Sequence, residues 1–339
     1  MTGPIVIWGA GAIGGSLGAG LVRKGHEVIF VDSEPSHVAA INRDGLKIVG
    51  PIFEDTVRAP AFLPSDVRGR FPLIFLCVKA QHTEAAARAL LPHLADDGIV
   101  VSAQNGLNEI VIAGVVGRER TIGCFVNFGA DYLGPGVVTH SGRGAVVVGE
   151  LDGTGTARIR DLLRLLRDFE ENATLTTNIW GYLWGKLIYG AMLFATALTD
   201  DSIADVLADE ATRPVQTALA QEVGRIAAAE GIRTEGFNGF DPAAFRPGAP
   251  QDAIDRSFAE MVAHNRRSAK SHSGIWRDLA VRKRKTEVRP QLGPIVETGQ
   301  RHGIPAPLTA RLIAMIEEIE TGARQLSRGN LAELAEAME

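Results

Sequence analysis

Six residues near the N-terminus constrain this chain more than any other feature. The apolar run Ile5–Trp8 ends on Gly9-Ala10-Gly11-Ala12-Ile13-Gly14, helix-compatible residues follow through Arg23, and a second apolar run, Val28–Val31, ends on Asp32. Each glycine answers a different demand. Gly9 permits a tight turn, Gly11 removes a side chain that would collide with a pyrophosphate, and Gly14 lets the helix lie close on the strand. Segment 9–14, with Ala10, Ala12 and Ile13 between the glycines, opens a helix whose first N–H groups point at phosphate oxygens. Strand, turn, helix and acid in this order predict a dinucleotide-binding βαβ unit. Asp32 stands where a carboxylate accepts from the adenosine ribose 2′-hydroxyl and repels a 2′-phosphate, so NAD is expected ahead of NADP. The competing reading has Asp32 only capping the next turn, with Ser33 and His37 left to accommodate a phosphate.

The rest of the chain extends that unit. Apolar β-branched runs at 73–78, 99–102 and 121–125 alternate with helical patterns, and a short strand is expected at 173–176 after a helix over 158–169. From Trp180 onward the periodicity is helical. Thr177 or Asn178 is a candidate cap for the first helix, and Pro307 and Gly322 bracket the last long one, with Leu308, Leu312, Ile316 and Ile319 on one face. The expected class is therefore α/β: a doubly wound Rossmann-type domain over 1–176 and an all-helical domain over 177–339, as 339 residues favour two cores. Segment 236–250, rich in Gly, Pro and Phe, reads as an ordered loop, either a plain connector or a lid.

Composition narrows the function. A formal net charge of −5 gives no general attraction to nucleic acid, and the basic run Arg282-Lys283-Arg284-Lys285 reads as a solvated edge. Two cysteines, Cys77 and Cys124, sit in strand-like runs and suit reduced buried thiols and a cytoplasmic setting. No apolar run is long enough to span a bilayer, the N-terminus lacks the pattern of a signal peptide, and no ligand-like His or Cys spacing predicts a metal.

Several separated segments together resemble the ketopantoate reductase (2-dehydropantoate 2-reductase) family. They are the Gly9 turn, Val78-Lys79-Ala80-Gln81, Gln104-Asn105-Gly106, Pro135-Gly136-Val137-Val138 with Gly149-Glu150, Lys186-Leu187, Lys285-Thr286-Glu287 and His302-Gly303-Ile304-Pro305. The resemblance implies reduction of a 2-oxo acid by a nicotinamide cofactor, an active site in a cleft between the domains, and a homodimer. It makes Lys186 the catalytic acid/base, Glu287 a partner near the nicotinamide ribose, Asn105 a contact to cofactor and substrate, and Lys79 a cofactor-side residue. Lys186 also stands out alone: an ammonium among Trp184, Leu187, Ile188 and Tyr189 is costly to bury without purpose.

The chain departs from the family where substrate is held. Asparagines usual four and eight residues after the lysine are replaced by Gly190 and Phe194, which predicts a roomier, more apolar pocket. A serine for the substrate carboxylate falls at Ser273 or Gly274, His272 is a weaker candidate for substrate contact, and Arg289 replaces a usual acid. The expectation is an NAD-dependent oxidoreductase for a small oxo/hydroxy acid larger or more apolar than ketopantoate. Its alternatives are a genuine NADPH-dependent 2-dehydropantoate 2-reductase, and a dinucleotide-binding sensor without turnover.

Overall fold

Burial on both faces explains why the first-half strands read as uninterrupted apolar runs: Ile5–Trp8 is buried at all four residues and Thr121–Val126 at all six. In this computed structural model, which describes residues 3–237, 239–267 and 271–338, twelve strands form two sheets among the described residues. They are β1 Ile5–Trp8, β2 Val28–Val31, β3 Leu46–Val49, β4 Asp55–Val57, β5 Ala61–Phe62, β6 Phe71–Leu76, β7 Leu94–Ser102, β8 Thr121–Val126, β9 Gly129–Gly134, β10 Val137–Gly142, β11 Val146–Glu150 and β12 Thr174–Leu175. The large sheet has the order β12-β11-β8-β7-β6-β1-β2-β5. It is parallel except where β11 runs antiparallel to β8.

Alternate residues of the central strands feed separate cores. Ile5, Ile7, Leu73 and Phe75 pack with Leu17 and Leu21 of α1 (Ala12–Arg23) and with Ile159, Leu162 and Leu166 of α5 (Ala157–Phe169). Val6, Trp8, Ile74 and Leu76 pack with Ala86 and Leu90 of α3 (Thr83–Leu90) and with Ile112 and Val116 of α4 (Asn108–Val116). The remaining first-half helix, α2, spans Pro35–Asp44. Helices on both faces make the sheet doubly wound, as expected. From β1 the chain order runs outward both ways, to β2 on one side and β6 on the other, which makes the carboxyl ends of β1 and β6 a switch point where such folds bind ligands.

The second sheet, β4-β3-β10-β9, was not anticipated. It packs on α1, where a Cβ at Gly15 would lie 3.3 Å from Val138 Cγ1.

Chain contacts divide the protein into two compact units, Met1–Ile179 and Trp180–Glu339. The division falls just past the expected 176/177 boundary, at the start of α6 (Ile179–Thr196). The second unit continues with α7 Ile203–Ala208, α8 Arg213–Ala229, α9 Gln251–Arg267, α10 Gly274–Trp276, a π-helical stretch Arg277–Val281, α11 Val288–Arg301, α12 Pro307–Glu320 and α13 Gly329–Glu336. The buried Glu222 carboxylate accepts from the N–H groups of Leu308 and Thr309, 3.2 and 2.7 Å away, so an anion sits at the N-terminus of α12. Segment 236–250 is pinned by its aromatics: Phe237 and Phe240 pair across a short bridge, both rings contact Tyr189, and Phe245 is 1% exposed. Asn238 in this loop lies outside the described residues.

Candidate active site

In the first unit the three glycines meet three distinct constraints. Gly9 has φ +101°, and a Cβ there would lie 2.9 Å from the carbonyl carbon of Cys77 and the nitrogen of Val78. A Cβ at Gly14 would lie 2.0 Å from the Gly9 carbonyl oxygen, which excludes every larger residue without a shift of the turn. At Gly11 a Cβ meets nothing within 4 Å among the described residues, and α1 begins there without a side-chain cap. Two glycines are thus dictated by packing, whereas the space beside Gly11 fits a pyrophosphate lying on the helix N-terminus.

Asp32 ties this turn to the next strand. Its Oδ2 accepts from Ala10 N at 2.9 Å and its Oδ1 from Glu34 N at 3.0 Å. Each oxygen keeps a further lone pair for a ribose hydroxyl, so bracing and binding are compatible. His37, fully buried, accepts from Gly136 N at Nδ1 (2.8 Å), so Nε2 carries the proton and donates to the Ala10 carbonyl at 2.9 Å. His37 is thus committed at both ring nitrogens, and of the two neighbours of Asp32 named from the sequence only Ser33 keeps its side chain exposed.

Lys79, half-buried, precedes the turn Ala80–His82 after β6, and Asn105, exposed, lies between β7 and α4. A buried relay joins these two loops. Gln104 Nε2 donates to the Val78 carbonyl and to Thr83 Oγ1, Thr83 Oγ1 donates to Asn108 Oδ1, each at 2.8 Å, and Asn108 Nδ2 donates to the Asn105 carbonyl at 2.6 Å. Thr83 and Asn108 escaped the sequence reading because an isolated polar residue in a helical pattern carries no periodic signal. Beneath them Glu109, fully buried, makes no side-chain hydrogen bond of ordinary geometry, and burial pushes its carboxyl up to about 7.

In the second unit α6 presents Lys186 and Gly190 one turn apart on the same face, both half-buried. A Cβ at Gly190 meets nothing within 4 Å among the described residues, so position 190 borders open space. Phe194, one turn further, is 1% exposed and belongs to the core rather than to an accessible wall. Gly185 is fixed by packing, since a Cβ there would lie 2.2 Å from the Glu235 carbonyl oxygen. Glu287, half-buried, sits at the N-terminus of α11. Ser273, 9% exposed, caps α10 by accepting from Trp276 N at 3.1 Å, and Gly274 is exposed.

Other singled-out residues have structural partners. His272 packs against Trp276 in a tilted pair with ring centroids 4.1 Å apart and bonds the Asp200 carbonyl. Arg289 pairs with Glu317, and Arg282 and Arg284 both pair with Asp278, so half of the basic run answers one buried carboxylate. Cys77 is half-buried and Cys124 buried. Among the described residues no helix is long and apolar enough to cross a membrane, and no three His, Cys, Asp or Glu side chains are grouped to hold a metal ion.

The family model for ketopantoate reductase PanE/ApbA matches residues 5–153, and that for the ketopantoate reductase PanE/ApbA C terminal matches 178–320. The 2-dehydropantoate 2-reductase of Halobacterium salinarum is 29% identical over 92% of this chain and 97% of its own, and that of Archaeoglobus fulgidus is 29% identical over 94% and 98%. A PanE/ApbA family ketopantoate reductase from Ralstonia eutropha superposes with a TM-score of 0.80 at 29% identity, covering 95% of this chain and 100% of that one. D-mandelate dehydrogenase, solved with NADH and anilino(oxo)acetate, shares the fold at 23% identity, with a TM-score of 0.82 over 94% of this chain and 99% of its own. With its glycine turn, its lysine-bearing helix and both halves of the family pattern in place, the chain belongs to the ketopantoate reductase family of NAD(P)-dependent oxidoreductases acting on CH–OH groups.

Proposed function

We propose that this protein interconverts a 2-oxo acid and its 2-hydroxy acid with NAD(H), on a substrate bulkier or more apolar than ketopantoate, with Lys186 as acid/base. The observation that carries the substrate reading is the open space at Gly190, on the same helix face as the ammonium. An amide there would offer a partner to a polar substrate end, whereas a glycine offers volume and leaves that end unpaired, at a cost of kilocalories rather than tenths.

The nicotinamide supplies or accepts the hydride when bound. Reduction builds negative charge on the carbonyl oxygen, and an ammonium within hydrogen-bond reach stabilises that charge and delivers the proton; oxidation reverses the transfer. Lys186 holds that proton at Nζ. Asn105 orients substrate and cofactor by donating or accepting through its amide, and the relay from Gln104 to Asn108 holds its backbone still. Glu287 accepts from the nicotinamide ribose, Lys79 lines the cofactor side, and the 273–274 turn receives the substrate carboxylate. Gly11 leaves room for the pyrophosphate on the turn that Gly9 and Gly14 shape, and Asp32 takes the adenosine ribose.

A second reading is reduction of ketopantoate itself, with NADPH as reductant; its substrate is the one in the names of the relatives at 29% identity. Steady-state assays separate the two: oxidation of a panel of 2-hydroxy acids with aliphatic and aromatic side chains by NAD and NADP, and reduction of ketopantoate by NADH and NADPH. The expected result is highest kcat/KM with NAD and an apolar hydroxy acid, and at least about a tenfold lower value for ketopantoate. Ketopantoate with NADPH as the best pair would contradict the proposal.

A further inference from the structure

The segment that follows β2, Asp32-Ser33-Glu34-Pro35-Ser36-His37, is where a dinucleotide fold meets the adenosine ribose, and where enzymes that use NADP present donors and a cation to the 2′-phosphate. Here the donors at Glu34, Ser36 and His37 are already occupied, and Ser33 is exposed. Glu34 N is bonded to Asp32 Oδ1 at 3.0 Å. Glu34, the residue before the first turn of α2, accepts at Oε1 from Ser36 N (3.3 Å) and from the Ser36 hydroxyl (2.8 Å). His37 spends both ring nitrogens on backbone groups. The segment holds two carboxylates and neither lysine nor arginine.

We propose that Glu34 is a specificity-determining residue that excludes a 2′-phosphate, because its carboxylate takes the helix-end donors a phosphate would need and adds a second negative charge beside Asp32. The inference rests on the NAD(H) reading above and assigns part of that preference to a residue which position alone does not single out. A carboxylate at the start of a ten-residue helix is favoured there by the local dipole, so it is held in place rather than free to swing aside. Tyr132, on β9, lies at the same corner. Its ring contacts His37 edge-on at 5.2 Å, and its phenol is pushed above the ordinary value by burial and then by the charges of Asp32 and Glu34. Both carboxylates therefore act on the same corner of the unit.

The test uses the full-length protein with NADH and NADPH, each titrated by cofactor fluorescence in the absence of substrate. The variants are Glu34→Gln, which keeps the length and the acceptor for Ser36 N while removing the charge, and Glu34→Ser, which keeps a helix cap. Thermal melting establishes that each is folded. Expected is wild-type preference for NADH, a gain of about tenfold or more in NADPH affinity in both variants, and a change under about threefold for NADH. The NADPH gain should shrink as salt rises, because Glu34 is exposed. An unchanged NADPH-to-NADH ratio in both folded variants overturns the role of Glu34 while leaving Asp32 as the determinant. Wild-type protein that prefers NADPH overturns the cofactor reading itself, and wild-type protein that binds neither nucleotide overturns the proposed function with it.

Discussion

The Nε2 proton of His37 is donated to the carbonyl of Ala10 across 2.9 Å, which fastens the glycine turn to a residue twenty-seven positions later in the chain. The Gly136 amide on the other nitrogen extends the tie to the hairpin between β9 and β10. Replacing His37 by alanine strands a buried carbonyl and a buried N–H. Urea unfolding should show a loss of about 2–4 kcal/mol, and NADH should bind more weakly in the residual folded protein. Unchanged stability and unchanged affinity together would show that the turn holds its shape without the imidazole.

Gly190→Asn tests the pocket. The added Cβ meets no atom within 4 Å among the described residues, so folding should not suffer. Replacing a helix-interior glycine by asparagine should raise stability by only about 0.1–0.5 kcal/mol. The amide should raise KM for an apolar hydroxy acid and improve kcat/KM for ketopantoate. A substrate profile identical to wild type, in a protein at least as stable, would place the substrate elsewhere.

Two buried titratable groups bend the stability curve in opposite directions. Glu109 is pushed up to about 7 by burial, so the folded state keeps its proton where the unfolded chain has lost it; stability falls as pH rises from about 4.5 through about 7. His140, 1% exposed and ringed by Phe53, Phe128 and Phe169, is pushed down to about 4 by burial and then by Arg143. The unfolded chain takes up the proton first, so stability falls as pH drops from about 6.5 through about 4. Each effect is worth about 2–4 kcal/mol. Chemical denaturation across pH 4–9 should show Glu109→Gln flattening the alkaline side and His140→Phe the acid side. A variant that shifts the whole curve without changing its slope on that side would refute the corresponding assignment.

The legible parts of this fold were those dictated by burial. β1 and β2 coincide with their expected limits because a parallel strand covered on both faces must be apolar throughout. The four-stranded sheet gave no such signal: β9 reads Gly-Ala-Asp-Tyr-Leu-Gly and β10 ends Thr-His-Ser-Gly, with exposed and half-buried positions breaking the alternation. β7 begins at Leu94, earlier than expected, because Asp96, Asp97 and Gly98 look like a turn. At the site, the glycine turn was readable since its spacing is a steric requirement. The relay through Thr83 and Asn108, and the carboxylate of Glu34 on Ser36, depend on which loops meet in space, and sequence order carries no trace of that. Phe194 shows the converse limit: its helical phase with Lys186 is right, yet the ring is buried in the core.

The proton-transfer role of Lys186 is decided by Lys186→Ala, with turnover of the best substrate from the hydroxy-acid panel and NADH affinity measured on the same preparation. The expected result is a fall in kcat of about 10²- to 10⁴-fold, with NADH bound within about threefold of wild type. Turnover close to wild type would contradict the assignment of Lys186 as the proton-transfer group.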